Sequence, residues 1–418
     1  MKLVATILLS LVLPWVFSLE VISQNILGKN TSSLNTAVPF LMITPDCRAG
    51  AMGDAGAATS PDANSIQWNP AKLAFAEDEI GVSVSYTPWL RKLVRDFSLS
   101  YLSGYRRIDE VSTFGASFRY FSLGDLNITT PLGATVAQYR PNEFAADIAY
   151  ARILSKRFSG GIALRYIHSN LSSGLLIGGL DTKPQSTFAV DVSTYYQNND
   201  VSILNKDAAY AFGVNISNIG PRMYYTTPDY KNFLPINLRI GQRITMNMNE
   251  KHSIAITTDF NKLLTPTPPY YKKDSNGMAV RDPITGDYIV LAGKDPDRPV
   301  FNGMLTSFFD APGVVVVDQN GDLVEVEKGS VLREEMREIN YAIGLEYLIA
   351  KQIVFRAGYF GEHSTKGNRK YITLGTGIKY KVFGLDFAYL IPVNFDPSVT
   401  QRSPLKNTMR FTLLFAVR

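Results

Sequence analysis

From Ile80 to Val417 the chain repeats one pattern about fourteen times: runs near ten residues long in which large apolar side chains alternate with small or polar ones, each closed by a loop. In Tyr371 to Tyr380, Ile372, Leu374, Ile378 and Tyr380 share one face, while Thr373, Gly375, Gly377 and Lys379 share the other. Successive strand side chains point oppositely, so each run presents one apolar and one polar face. Phe383/Leu385/Phe387/Tyr389, Tyr341/Ile343/Leu345/Tyr347, Ile162/Leu164/Tyr166 and Phe188/Val190/Val192 repeat the period. A bilayer accepts strands only when every backbone group is paired and no edge is left. The pattern therefore predicts an all-β fold, a closed antiparallel transmembrane β-barrel of about fourteen strands.

Alternation alone also fits a secreted β-sandwich, and four further features decide between them. The runs are longer than the usual five or six residues, as tilted membrane strands require. The polar face carries charges of both signs: Arg119, Asp147, Arg165, Asp191, Arg239, Asp259, Glu346, Arg356 and Arg410. These suit a wet lumen. Aromatic residues gather at run ends, among them Tyr86, Trp89, Tyr101, Tyr105, Tyr120, Phe121, Tyr195, Tyr196, Tyr359 and Phe360, where an interfacial girdle would sit. Finally, connections near Arg106, Leu154, Met248, Ala350 and Lys381 are short, whereas those at about 122–142, 168–186, 219–234, 261–338 and 391–407 are long. Membrane barrels have short periplasmic turns and long external loops, so this parity places both chain ends in the periplasm and the long loops outside the cell.

A soluble chain of 418 residues would ordinarily divide into two or three domains, but a large barrel needs no division. Mean hydropathy of -0.01 and 19% charged residues exclude a helical membrane protein. The apolar stretch after Lys2, Leu3 to Leu19, reads as an export signal over 1–23, with cleavage near Ser18 or Ser23. Pro14 weakens any reading of it as a retained anchor. Residues 24–79 are then a periplasmic segment, and 80–418 the barrel. Cys47 is the single cysteine, so no internal disulfide framework exists. A net charge of +5 is too small and scattered to imply nucleic acid; clusters such as Arg91/Lys92/Arg95 and Lys272/Lys273 suit lipopolysaccharide phosphates or solvent.

Thr44 to Ala74 is the most specific stretch. Gly50, Gly53 and Gly56 permit tight turns and close backbone approach, which a segment packed inside something narrow requires. Asn69 before Pro70 makes a favourable helix start, with the amide as cap and proline in the first turn. Together these predict a compact luminal hatch ahead of the first strand. The pattern Asp46, Arg48, Gly50, Met52, Gly53, Gly56, Ala58 to Asp62 (with Ser60, Pro61 and Asp62) and Trp68 to Lys72 (with Trp68, Asn69 and Pro70) resembles the hatch of FadL-like barrels. Within them it is most similar to the PorV (LptO) family of the type IX secretion system. Ser85 to Leu90, Phe118 to Asp125 and Pro141 to Tyr150 extend the resemblance, which is weakest over Asn261 to Glu338. The Asn-Pro-Ala element alone is common to the wider fatty-acid-transporter group.

The resemblance implies a fourteen-stranded barrel without transport of its own. Such proteins bind the C-terminal signal domain of cargo, receive it from the translocon barrel (Sov or SprA), and deliver it to the surface sortase PorU, with PorQ and PorZ completing the attachment complex. Cofactors and metals are not implied. The loop at about 261–338 is the candidate partner-binding element. Tyr270 and Tyr271 follow a proline-rich start, and Asn276 and Asn320 each precede a glycine that turns a short ribbon. An exposed ribbon can pair with a β-sandwich edge. Asp318, Asn320 and Asp322 imitate a calcium loop, but the glycine is misplaced and no glutamate follows at the twelfth position.

Other classes remain open on the sequence. A channel for fatty acids or other hydrophobic compounds would use the same hatch architecture and is separated by substrate uptake. A lipid hydrolase could be built on His168-Ser169 or on Glu362-His363-Ser364, but adjacency in sequence does not orient base and hydroxyl. A purely structural brace would differ from the shuttle in failing to bind cargo.

Overall fold

The computed structural model describes residues 34–418 apart from 92–95, 130–134, 172–175, 178–179, 226–230, 275–277, 319–322, 394–402, 404 and 418. The export-signal reading, with Ser18 and Ser23, thus falls outside the described residues, as do Lys92, Arg95, Asn276 and Asn320.

Fourteen antiparallel strands close into one barrel. They are β1 Ile80–Pro88, β2 Phe97–Arg107, β3 Ser112–Leu123, β4 Asn142–Ser155, β5 Phe158–Asn170, β6 Gln185–Ile203 and β7 Lys206–Ile219, then β8 Asn237–Asn247, β9 His252–Leu263, β10 Asn340–Ile349, β11 Ile353–Gly361, β12 Lys370–Tyr380, β13 Phe383–Pro392 and β14 Thr408–Val417. Each pairs with its neighbours in sequence, and β14 zips to β1 from Ile80↔Val417 to Tyr86↔Phe411. No edge is left unpaired, which is how a sheet satisfies its backbone in lipid.

The alternation read from the sequence is written into burial. In β1 the even positions Val82, Val84 and Tyr86 face outward, while Ser83, Ser85 and Thr87 are buried inside. The outer surface is thus apolar and the inner one polar, the reverse of a soluble core. The short connections lie at one end of the barrel and the long ones at the other; these are called the turn end and the loop end below. One short connection escaped the sequence reading. Leu204 and Asn205 form a tight turn between β6 and β7, with φ of 53° and 60°. Such turns usually carry Asn-Gly or Gly, and a leucine there hides the signal.

Candidate functional site: the barrel interior and its loop end

Inside the wall lies the segment from Ala37 to Ala76, almost wholly buried. Asp46 caps the short helix α1 (Cys47–Gly50) by accepting from Ala49 N at 3.0 Å, and its other oxygen accepts from Trp68 Nε1 at 2.6 Å. Trp68 ends α2 (Ser65–Trp68). Asn69 then caps a 3₁₀ turn, Pro70–Phe75, by accepting from Ala71 N at 3.1 Å. Its amide also donates to Ala57 O at 3.0 Å and to Thr194 O of β6 at 2.9 Å. The helix start read from Asn69-Pro70 is therefore present, as a 3₁₀ rather than an α turn.

Small residues let this segment reach the wall. Gly53 takes φ of 68°, and a Cβ on it would stand 2.4 Å from Tyr359 O. A Cβ on Gly358 of β11 would meet Gly53 N at 2.2 Å, and one on Gly344 of β10 would meet the Met52 Cβ at 2.4 Å. Gly56 packs on the Trp68 ring, and Gly50 on the Arg410 side chain. Met52 itself is fully buried. These inward glycines of β10 and β11 were absent from the sequence-derived site; an isolated glycine on the inner face of a strand was the available signal.

The nine inward charges were expected to line a wet lumen, and this is the point the structure corrects. Arg119, Asp147, Arg165, Asp191, Asp259, Glu346, Arg356 and Arg410 are all buried, and Arg239 has a side chain only 12% exposed. Charges taken from water persist only when paired or hydrogen-bonded, and these find partners among one another and in the N-terminal segment, although Arg119 Nε, Asp259 Oδ1 and Arg410 Nη1 are buried without a hydrogen bond. Arg165 pairs with Asp147 at 2.5 Å and Asp191 at 3.1 Å. Asp259 accepts from Gly56 N at 2.8 Å and Ala57 N at 2.9 Å, with Arg239 at 3.6 Å and stacked over the Trp68 ring at 4.4 Å. Arg119 donates to Leu41 O at 2.8 Å, and Arg410 to Thr44 O at 3.3 Å.

Glu346 is the hub of the turn-end half. It accepts from Arg48 at 3.2 Å through both oxygens, from Arg243 at 2.7 Å and from Arg356 at 2.8 Å. Arg48 comes from the N-terminal segment and is held in turn by Asp62 at 2.8 Å and by Ser60 Oγ at 2.6 Å. Pro61 separates these two anchors. A cavity of about 210 Å³ adjoins the hub, lined by Arg48, Arg243, Glu346, Arg356 and Lys379. Lys379 also borders a wider space of about 760 Å³ at the turn end.

The loop-end half is apolar. Phe40, Leu41, Leu99, Phe121, Ile167, Met223, Phe233, Leu234, Ile236, Leu264 and Met304 form one buried cluster joining the N-terminal segment, the wall and the long loop. Met304 belongs to α3 (Val300–Thr306). The opposite side of α3 and the residues after it are solvent-facing: Phe301 is 72% exposed, Leu305 55%, Phe308 45% and Phe309 54%. The long loop is strapped down by buried ion pairs. Lys262 of β9 meets Glu335 and Glu338 at 3.0 and 2.6 Å, and Lys366 meets Glu334 and Glu338 at 2.8 and 3.0 Å. These glutamates flank or belong to α4 (Ser330–Arg337). Burial pushes the nearby Asp310 carboxyl up to about 6.

Tyr270 and Tyr271 form a ribbon with Val290–Ala292 and are partly buried. Asp318 is exposed beside the short ribbon Val315–Val317/Leu323–Val326. Strand alternation separates His168 from Ser169: His168 contacts Ser186 Oγ at 2.9 Å on the outer face, whereas Ser169 donates inward to Glu143 at 2.6 Å. His363 Nδ1 lies 3.0 Å from Thr365 Oγ1, and Glu362 is taken by Arg369 at 2.9 Å. His168 therefore meets Ser186 rather than Ser169, its neighbour in sequence.

A sequence model of the family described as Type IX secretion system protein PorV matches residues 27–270. No curated protein sequence matches the chain. Among solved structures, it is similar to the Ralstonia pickettii toluene transporter TbuX, with 13% identity, a TM-score of 0.46, and coverage of 89% of this chain and 98% of that one. It is also similar to a Pseudomonas aeruginosa FadL homologue, with 10% identity, a TM-score of 0.42, and coverage of 90% and 99%.

Proposed function

Since this chain belongs to the PorV family of type IX secretion system proteins, we propose that it is an outer-membrane docking barrel that recognises exported proteins with its loop end and catalyses nothing. In this reading the turn end faces the periplasm, the loop end faces the cell exterior, and the segment before β1 is a hatch. The cargo's C-terminal signal domain passes from the translocon barrel to this one. The surface sortase with its PorQ and PorZ partners then receives it.

The observation that carries the reading is the contrast between the two ends of the interior cluster. Its inner side is filled by packed side chains, whereas its outer side, on α3, turns Phe301, Leu305, Phe308 and Phe309 to the exterior. An apolar patch on an extramembrane loop marks a partner surface. The exposed ribbon at Val315–Val317 adds strand edges beside acidic Asp318 and Glu325, suited to main-chain pairing. A channel for hydrophobic compounds would need that cluster's space for its substrate, which the reading disfavours.

The test uses the full-length protein in detergent and a purified signal domain. Phe301→Ser combined with Leu305→Ser is expected to weaken signal-domain binding by about tenfold or more, the loss typical of truncated anchor residues. Unchanged binding by a variant that melts like the parent overturns the loop-end assignment. Hydrocarbon or fatty-acid uptake that depends on this barrel, with secretion unaffected by its deletion, favours the channel instead.

A further inference from the structure

Where the Glu346 hub meets its cavity, donors outnumber acceptors. Each oxygen of Glu346 already accepts two hydrogen bonds, Oε1 from Arg48 and Arg243, and Oε2 from Arg48 and Arg356. A carboxylate offers about four lone-pair sites, so this one has nothing left to accept with. The cations around it are not used up. Arg243 of β8 makes one bond from each of its three nitrogens, to Thr245 Oγ1, Thr257 Oγ1 and Glu346, so each terminal nitrogen keeps a hydrogen to donate. Arg356 of β11 goes further. Its Nη1 is buried without a hydrogen bond, 3.0 Å from Asp386 Oδ1 in a contact that is an ion pair only. Lys379 of β12 lines the same cavity, and its ammonium forms no ion pair with a described residue.

Arg48, Arg243, Arg356 and Lys379 line this cavity against the single carboxylate of Glu346. Asp62 and Asp386 pair with Arg48 and Arg356 without lining it, and counting them still leaves the cations one ahead. Water fills such a volume but brings no charge, whereas unspent N–H donors and excess positive charge in a polar recess suit an oxyanion. There is also a way in. Ser253, Leu348 and Lys379 line both this cavity of about 210 Å³ and the wider space of about 760 Å³ at the turn end, so the two adjoin. We propose that the recess between Arg243, Arg356 and Lys379 binds a phosphate group, entering from the turn end either as the free ion or as a monoester on a larger molecule. Phosphate fits better than carboxylate because the three cations stand on three different strands, and its three equivalent oxygens can meet all of them where two cannot. The inference rests on the cavity alone and not on the secretion reading.

Full-length protein in detergent is titrated calorimetrically with inorganic phosphate and, separately, with glycerol 3-phosphate, in phosphate-free buffer at constant ionic strength. The expected result is saturable one-site binding of at least one of the two. Lys379→Gln is expected to weaken it about tenfold, the loss of one charge-assisted hydrogen bond. Lys206→Gln, at a turn-end lysine that lines neither space, is expected to leave it unchanged. Lys379 has no ion pair to lose, so without ligand its variant should melt like the parent, while phosphate should raise the parent's melting temperature and the variant's less. Tighter binding of the ester supports the site and assigns it to a larger phosphorylated molecule; tighter binding of inorganic phosphate supports it and assigns the free ion. Absence of saturation by both, heat that sodium chloride reproduces, equal affinity for acetate, or an equal loss from Lys206→Gln each overturn the proposal and leave the secretion reading intact.

Discussion

Three guanidinium groups converge on the Glu346 carboxylate, which makes this residue more consequential than any other inward charge. Removing one partner of a buried ionic group leaves the others uncompensated, at a cost of roughly 3–5 kcal/mol. Glu346→Ala should therefore lower the unfolding free energy by that amount, read as a lower denaturant midpoint, and expose the N-terminal segment to protease, because Arg48 loses its wall anchor. A variant that keeps both the midpoint and protection would show that the hub holds nothing. Gly358→Ala is a steric counterpart. A methyl group there would lie 2.2 Å from Gly53 N, and overpacking of this kind costs about 1–3 kcal/mol. The expected readout is reduced yield of heat-modifiable folded barrel on gels, with Gly160→Ala, whose Cβ meets only a flexible leucine end, as the tolerated comparison.

At the level of elements, the strap between the long loop and the wall carries a pH signature. Asp310 has its folded pKa raised to about 6 by burial beside Glu335 and Glu338, above the ordinary 3.8. The folded state thus binds the proton more tightly than the open one, so this contribution is complete below about pH 3.8 and is lost as pH rises through 6. Amide protection in the loop, corrected for intrinsic exchange, should fall between pH 4 and 6.5, and Asp310→Asn should flatten the dependence. A pH-independent profile in the parent protein would exclude the strap as its source. The strands of the wall were legible in the sequence because a period of two is imposed on every residue that faces lipid. The Leu204-Asn205 turn was not, since its left-handed backbone is carried by a residue type that gives no warning. Nor were the partners of the inward charges. Arg119 and Asp259 bond to Leu41, Gly56 and Ala57 across large sequence separations, and alternation reports only the face of a residue, not what packs against it.

Across the whole molecule, a fourteen-stranded cylinder is wide enough to hold water, yet here a polypeptide segment and an apolar cluster occupy much of its inside. Ion conductance in planar bilayers should accordingly be far below that of an open barrel of similar strand number, and deletion of residues 34–76 should raise it. High conductance in the intact protein would contradict the packed interior. The closing seam constrains how such an object is made. Ile80 of the first strand meets Val417 of the last, so the cylinder stays an open sheet until the far tail arrives. Once those two strands meet, the forty residues from Ala37 to Ala76 can reach the interior only through an end of the cylinder, because a ring once welded leaves no lateral gap through which they could be threaded.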